Sequence, residues 1–171
     1  MDVNVYRKVG DKAFREDFGL YYEDFVEGTE IEHRPGRTIT ETDNYWFTLL
    51  TMNTAPLHFD AHYSAQTEWG KPLVDSTLTF AVVTGMTVNS ISKHVVANLG
   101  WDEVKLTRPV FAGDTLYATT RVLAKRESRS RPDQGIVTVL TEGLNQKGET
   151  VMSFKRTVLV YRRGRGPAYD I

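Results

Sequence analysis

The stretch Met52-Asn53-Thr54-Ala55-Pro56-Leu57-His58-Phe59-Asp60 concentrates residues suited to chemistry. A neutral imidazole accepts or donates a proton near neutral pH, and Pro56 braces the loop just ahead of His58. His58 is therefore a candidate general acid–base. A histidine that only satisfies a loop carbonyl looks the same in sequence. His58, Asp60 and His62 also spell H-x-D-x-H, which invites a metal reading. On a strand all three share a face, but on a helix only His58 and His62 do. No fourth ligand is evident for a structural tetrahedral site. Asp60 reads better as the cap of a short helix, so no metal is assigned.

The second candidate is Asp75-Ser76, two residue types that favour helix N-caps. The first N–H groups of a helix lack intrahelical partners and carry the positive end of its dipole. A thioester oxygen placed against the Ser76 N–H is stabilised as negative charge develops on it. An ordinary capped helix has the same sequence. Farther along this helix Thr84 and Gly85 interrupt the apolar run and are candidates for substrate contact, as is Asp75. The arginine-rich stretch Lys125-Arg126-Glu127-Ser128-Arg129-Ser130-Arg131 lies at a strand end. Arg129 and Arg131 suit CoA phosphates or a substrate carboxylate, and a solvated loop is the plainer reading.

These residues need elements to hold them. Residues 31–39 read as extended. Thr40-x-x-Asp43 spells a capping box, and Tyr45, Trp46, Leu49 and Leu50 then place apolar residues on one helix face. Pro56 puts residues 53–57 in a loop. A short helix follows from about Asp60 to Trp69, ended by Gly70-Lys71-Pro72. After Asp75-Ser76, Leu78, Phe80, Ala81, Val82, Val83, Met86 and Val88 make a helix apolar on nearly every side, which must be wrapped by the rest of the protein. Residues 94–106, 115–125, 135–145 and 149–161 read as strands, separated by Ala112-Gly113-Asp114, Arg131-Pro132-Asp133 and a hairpin loop, Asn145-Gln146-Lys147-Gly148. Helices followed by antiparallel strands predict an α+β domain with one helix buried against a curved sheet.

Bulk composition narrows the function. The 171 residues, 40% hydrophobic and 25% charged, suit one globular domain. A formal net charge of −1 with both signs scattered leaves no footprint for nucleic acid. The absence of cysteine removes disulfides, thiol nucleophiles and cysteine zinc sites. The charged N-terminus lacks an apolar signal segment, and the longest apolar run is too short to span a bilayer, so a cytoplasmic location is the default. Residues 1–20 read as a polar lead-in, 21–161 as the domain and 162–171 as a frayed basic tail.

The stretches above, with Gly70-Lys71-Pro72-Leu73-Val74 and Arg108-Pro109-Val110-Phe111-Ala112-Gly113-Asp114-Thr115-Leu116, stand in an order and spacing that resembles the MaoC-like dehydratase family. That family includes the (R)-specific enoyl-CoA hydratases, and the similarity covers roughly residues 20–160. It implies a hotdog fold, an antiparallel sheet wrapped around a long central helix, working as a homodimer or a dimer of dimers without a cofactor. It further implies a CoA-thioester substrate and addition of water across a 2-enoyl double bond. The family uses an Asp and a His five residues apart, with a backbone N–H at the start of the central helix for the thioester oxygen. By position these are Asn53, His58 and Ser76, with Pro56 and Asp75 beside the substrate. Two departures stand out. An amide at Asn53 cannot take a proton, so Asn53 would hold water or substrate while His58 shuttles the proton. The family's usual His-Gly before the helix is Asp75-Ser76. The stretches Met52–Asp60 and Arg126–Pro132 resemble the mesaconyl-CoA or itaconyl-CoA hydratases, which implies an arginine paired with a second substrate carboxylate. Two other functions compete: a thioesterase using Asp75 or Asp60, and a non-catalytic acyl-CoA binder, for which Asn53 is the best argument.

Overall fold

In the computed structural model, which describes residues 5–167, a small hairpin of β1 (Tyr6–Lys8) and β2 (Phe14–Glu16) precedes β3 (Glu30–Thr38). Three helices follow, α1 (Glu41–Leu50), α2 (Ala61–Ser64) and α3 (Ser76–Met86). The second half is four long strands, β4 (Val95–Leu106), β5 (Thr115–Glu127), β6 (Gln134–Leu144) and β7 (Thr150–Tyr161). They form with β3 one sheet in the order β3-β5-β6-β7-β4, antiparallel at every step. Residues along β6 alternate strictly between buried and half-buried, the signature of a strand with one face on a core. At the β6–β7 turn Gly148 takes a φ of 77°, and the Asn145 side chain accepts from the N–H groups of Lys147 and Glu149.

Helix α3 packs across the inner face of β3, β5 and β6. Its close approach depends on Gly143, where a Cβ would stand 2.7 Å from a Val83 methyl. The sheet covers only one side of the helix. Leu78, Thr79 and Val83 are buried, whereas Ala81, Gly85 and the following Val88 are exposed. The expectation of a long helix wrapped all round is thus corrected. The α-helical part has 11 residues and runs on into a π turn, Val88–Ser92.

Two other expectations change. The capping box at Thr40 and Asp43 forms, but α1 turns its apolar side outward: Trp46, Leu49 and Leu50 are 70%, 56% and 78% exposed, while Asn44 and Thr48 are buried. The inward face is chosen by hydrogen bonding that only Asn44 provides, described below. The helix expected over residues 60–69 stops at Ser64, because hydroxyls compete for its carbonyls. Ser64 Oγ donates to the carbonyls of Asp60 and Leu57, and Thr67 Oγ1 donates to that of Ser64.

The segment read as a frayed tail is pinned where it is described. Arg162 N–H donates to the Asp133 carbonyl, Arg163 N–H to Glu23, and the Arg163 guanidinium holds Asp24 at 2.6 Å. Residues 168–171 of that tail, like residues 1–4 of the lead-in, lie outside the described residues. No helix among those described is long and apolar enough to cross a membrane.

The core has two apolar halves. One, around Ile39, Leu78, Val83, Leu116 and Phe154, underlies the start of α3. The other, around Phe25, Ile91, Val122, Val139 and Val158, underlies the π turn. Buried polar residues separate them. Thr120 Oγ1 lies 2.9 Å from Thr141 Oγ1 and 2.8 Å from His33 Nε2, and Ser90 Oγ lies 3.1 Å from His33 Nδ1. Arg156, 4% exposed, donates to the neutral oxygens of Asn98 and Thr87 and lies 5.8 Å from the centre of the Trp101 ring.

Burial, reinforced by the charge of Arg34, pushes the His33 ring down to about 4 from its ordinary 6.5. The unfolded chain then binds a proton that the folded protein refuses between those values, so stability falls as pH drops from 7 to 4. We expect this single ring to remove on the order of 3 kcal/mol across that window. Denaturant unfolding at stepped pH measures it, and His33→Gln should flatten the slope.

Candidate functional site

The site is organised on four residues, Leu73–Ser76, which lie between two other segments. On one side the Leu73 N–H donates to the Leu57 carbonyl at 3.1 Å. On the other the Val74 N–H donates to the Val110 carbonyl at 2.9 Å, and Leu73 bridges Phe111. The histidine loop and the Arg108–Phe111 segment therefore flank the entrance to α3.

Pro56 opens a 3-10 turn, Pro56–His58, that presents the imidazole. His58 Nδ1 lies 2.9 Å from the Leu73 carbonyl oxygen. A carbonyl only accepts, so Nδ1 carries the hydrogen, and in the neutral ring Nε2 keeps its lone pair. Satisfying a loop carbonyl and acting as a base are here one arrangement: the first bond orients the ring for the second role. Asp60 caps α2, accepting from the Tyr63 N–H at 2.9 Å, and His62 is exposed on that helix. Among the described residues no three His, Cys, Asp or Glu side chains are grouped to hold a metal ion.

Asn53 and Asp75 meet directly. Asn53 Nδ2 donates to Asp75 Oδ2 at 2.7 Å, and Asn53 Oδ1 accepts from the Ala55 N–H at 3.2 Å. Asp75 Oδ1 accepts from both the N–H and the hydroxyl of Thr77, at 2.7 and 2.6 Å. Burial works to raise the Asp75 carboxyl, but these donors from Thr77 and Asn53, with His58 nearby, outweigh it and hold the group below its ordinary value. It is an anion, and a weak base.

Ser76 follows as the first residue of α3. Its N–H meets no acceptor among the described residues, as expected for a helix start. Ser76 lines a cavity of about 310 Å³ together with Trp69, Leu73, Thr79, Leu106 and Arg108 among others. His58 does not line that cavity; it reaches the same segment through Leu73. A cavity of about 350 Å³ at the far end of α3 is lined by His33, Met86 and Ser90 and contains none of these groups.

The structure thus gathers His58, Asn53, Asp75 and Ser76 around one helix entrance, with Pro56 as their brace. It does not bring the remaining candidates there. Thr84 and Gly85 sit eight and nine residues beyond Ser76, about 12 Å along the helix, and neither lines the 310 Å³ cavity. Arg129 and Arg131 follow the far end of β5, whose 13 residues span roughly 40 Å, so within one chain they stand away from His58.

Sequence reasoning missed Asn44. Buried at 2% exposure, its Nδ2 donates to the His58 carbonyl at 2.7 Å and to the Leu73 carbonyl at 3.2 Å. Its Oδ1 accepts from the Asp75 N–H at 2.8 Å. A signal existed: two polar residues, Asn44 and Thr48, stand one helical turn apart on the flank away from Trp46, Leu49 and Leu50.

One helix on one face of a five-stranded antiparallel sheet, with the histidine loop at the helix entrance, is a hotdog domain. The chain belongs to the mesaconyl-CoA hydratase family, whose sequence model matches residues 1–168. It is 33% identical over 163 residues to the mesaconyl-CoA hydratase of Haloarcula marismortui, covering 95% of this chain and 46% of the relative. A MaoC domain dehydratase structure from Chloroflexus aurantiacus superposes with a TM-score of 0.81 at 34% identity, covering 89% of this chain and 43% of that one. A double-hotdog protein from Mycobacterium tuberculosis gives a TM-score of 0.78 at 22% identity, covering 89% and 49%, and shares the fold. The chain spans about half the length of the relatives it matches.

Asn44→Ala leaves the His58 carbonyl and the Asp75 N–H without a buried partner, and the Leu73 carbonyl with His58 Nδ1 alone. We expect a stability loss of about 3 kcal/mol by denaturant unfolding, accompanied by loss of the His58 geometry and of turnover.

Proposed function

We propose that this protein catalyses the reversible addition of water to an enoyl-CoA thioester, with a branched dicarboxylic acyl group such as mesaconyl as its substrate. The observation that carries the reading is that a base and an unpaired helix-start N–H are fixed to one four-residue segment. The Ser76 N–H receives the thioester oxygen and stabilises the enolate that forms as water attacks. His58 Nε2 takes the proton from the attacking water as its oxygen bonds to the β-carbon. The imidazolium then returns that proton to the α-carbon, so the atoms of one water are added and the ring ends neutral. Asn53, whose second N–H and remaining lone pair are uncommitted, holds the water. Membership of the mesaconyl-CoA hydratase family supports the substrate class.

Arg108 shares the Ser76 cavity and is the guanidinium we assign to the free carboxylate of the substrate. Its nearest acidic partner, Glu149, stands at 3.9 Å, beyond a good hydrogen bond. Hydrolysis is the poorer reading. Asp75 has both oxygens occupied by donors and Asp60 is spent on a cap, so neither serves as a base for thioester cleavage.

We further propose a homodimer. β4 is a free sheet edge carrying exposed Leu99, Trp101, Val104 and Leu106, a surface that invites another strand.

Three measurements test these readings. Absorbance of the enoyl-thioester band should fall with wild type and persist with His58→Ala; persistence with both, beside demonstrable CoA-ester binding, would leave a binding protein. Arg108→Gln should lower kcat/KM for mesaconyl-CoA by roughly 10- to 100-fold and spare crotonyl-CoA, whereas the same change at Arg129 or Arg131 should spare both. Sedimentation should give twice the chain mass, and Trp101→Glu should yield monomers.

A further inference from the structure

Asp75 is a carboxylate at 2% exposure, low in its titration range, and no lysine or arginine forms an ion pair with it among the described residues. Its charge is met instead by hydrogen-bond donors, the N–H and hydroxyl of Thr77 and the amide of Asn53. Capping α3 does not demand it, since an uncharged Asn or Ser caps a helix as well as Asp does. The bond from Asn53 lies outside the cap and indicates a further use. A carboxylate can only accept, and the Ala55 N–H can only donate, so the Asn53 amide between them has one permitted orientation, nitrogen toward Asp75 and oxygen toward Ala55. The same residue lies at the helix entrance beside His58, whose ring must become a cation during proton transfer.

We propose that Asp75 is a positioning residue of the reaction: through Asn53 Nδ2 its carboxylate fixes the facing of the Asn53 amide, and with it the water that the amide holds for His58. This rests on the hydration reading above. In this arrangement charge and amide form one couple whose two members can be exchanged. When Asn53→Asp is combined with Asp75→Asn, the amide now at position 75 keeps its oxygen toward Thr77 and turns its nitrogen toward position 53. The carboxylate now at position 53 accepts that bond and still accepts from the Ala55 N–H. Every donor still meets an acceptor. Asp75→Asn alone breaks the pattern, because one of the two amides must then present nitrogen to an N–H. Asn53→Asp alone sets two carboxylates against each other, one of which must be protonated.

The test compares these three variants with wild type in the enoyl-thioester absorbance assay, with thermal unfolding alongside. Asp75→Asn should lower kcat by at least about 100-fold with KM little changed, as for loss of a transition-state interaction. The exchanged double variant should regain most of that loss. If Asp75 only caps the helix, Asp75→Asn stays folded and active, and that result overturns the proposal. So does a folded double variant no more active than Asp75→Asn. Should Asp75→Asn fail to fold, the double variant decides alone, because it preserves every hydrogen bond and the proposal requires it to be active. His58→Ala keeps the two questions apart: if wild type turns over and His58→Ala does not, a silent Asp75→Asn sinks this inference and leaves the hydratase standing.

Discussion

A single amide joins the histidine loop to the entrance of α3. Asn44 reaches from α1 to the carbonyls of His58 and Leu73 and takes the Asp75 N–H in return. Each of those backbone groups is at the end of an element or in a tight turn, where no neighbouring strand or helix turn can satisfy it. With the amide in place, the imidazole, the capping carboxylate and the free N–H of Ser76 share one rigid frame. The requirement also accounts for the burial of Asn44 in a helix that turns Trp46, Leu49 and Leu50 outward and packs Phe47 on the core. The helix presents to the core the one side chain that can satisfy two acceptors and a donor together.

How far the molecule could be read in advance follows from how local each signal is. The capping box at Thr40, the caps Asp60 and Asp75, the turn glycine at Gly148 and the alternation along β5 to β7 are decided by residues within a few positions of one another, and these were legible. The facing of α1 was not, because periodicity counts apolar residues and the deciding residue was an asparagine. The single-sided cover of α3 was not legible either. A helix apolar all round states that something must pack against it, without saying whether the same chain provides all of that cover. His58 and Ser76 were legible as types in a recognised spacing. The bond from Asn53 to Asp75 spans 22 positions and depends on the fold bringing the loop to the helix entrance.

The exposed side of α3, the free edge of β4 and the outward Trp46, Leu49 and Leu50 belong together as signs of an incomplete surface. Apolar area of this extent is uncommon on a solitary domain. The chain matches about half of its longer relatives, in which the corresponding region is followed or preceded by as much again. The bonds that join His58, Asn44, Leu73 and Asp75 all lie within one chain.

The polar row through the core, Thr141–Thr120–His33–Ser90, has a consequence for how this protein can change over time. It interrupts the apolar contacts between the half of the core beneath the site and the half beneath the π turn. Volume changes in a close-packed core propagate through touching side chains, and here they meet a row of short hydroxyls held by directional bonds. The half around Phe25, Ile91 and Val158 is free to drift in sequence, taking up stabilising or destabilising substitutions, while the helix entrance keeps its geometry. Part of the domain's stability thereby rests on a half that can be adjusted apart from the helix entrance.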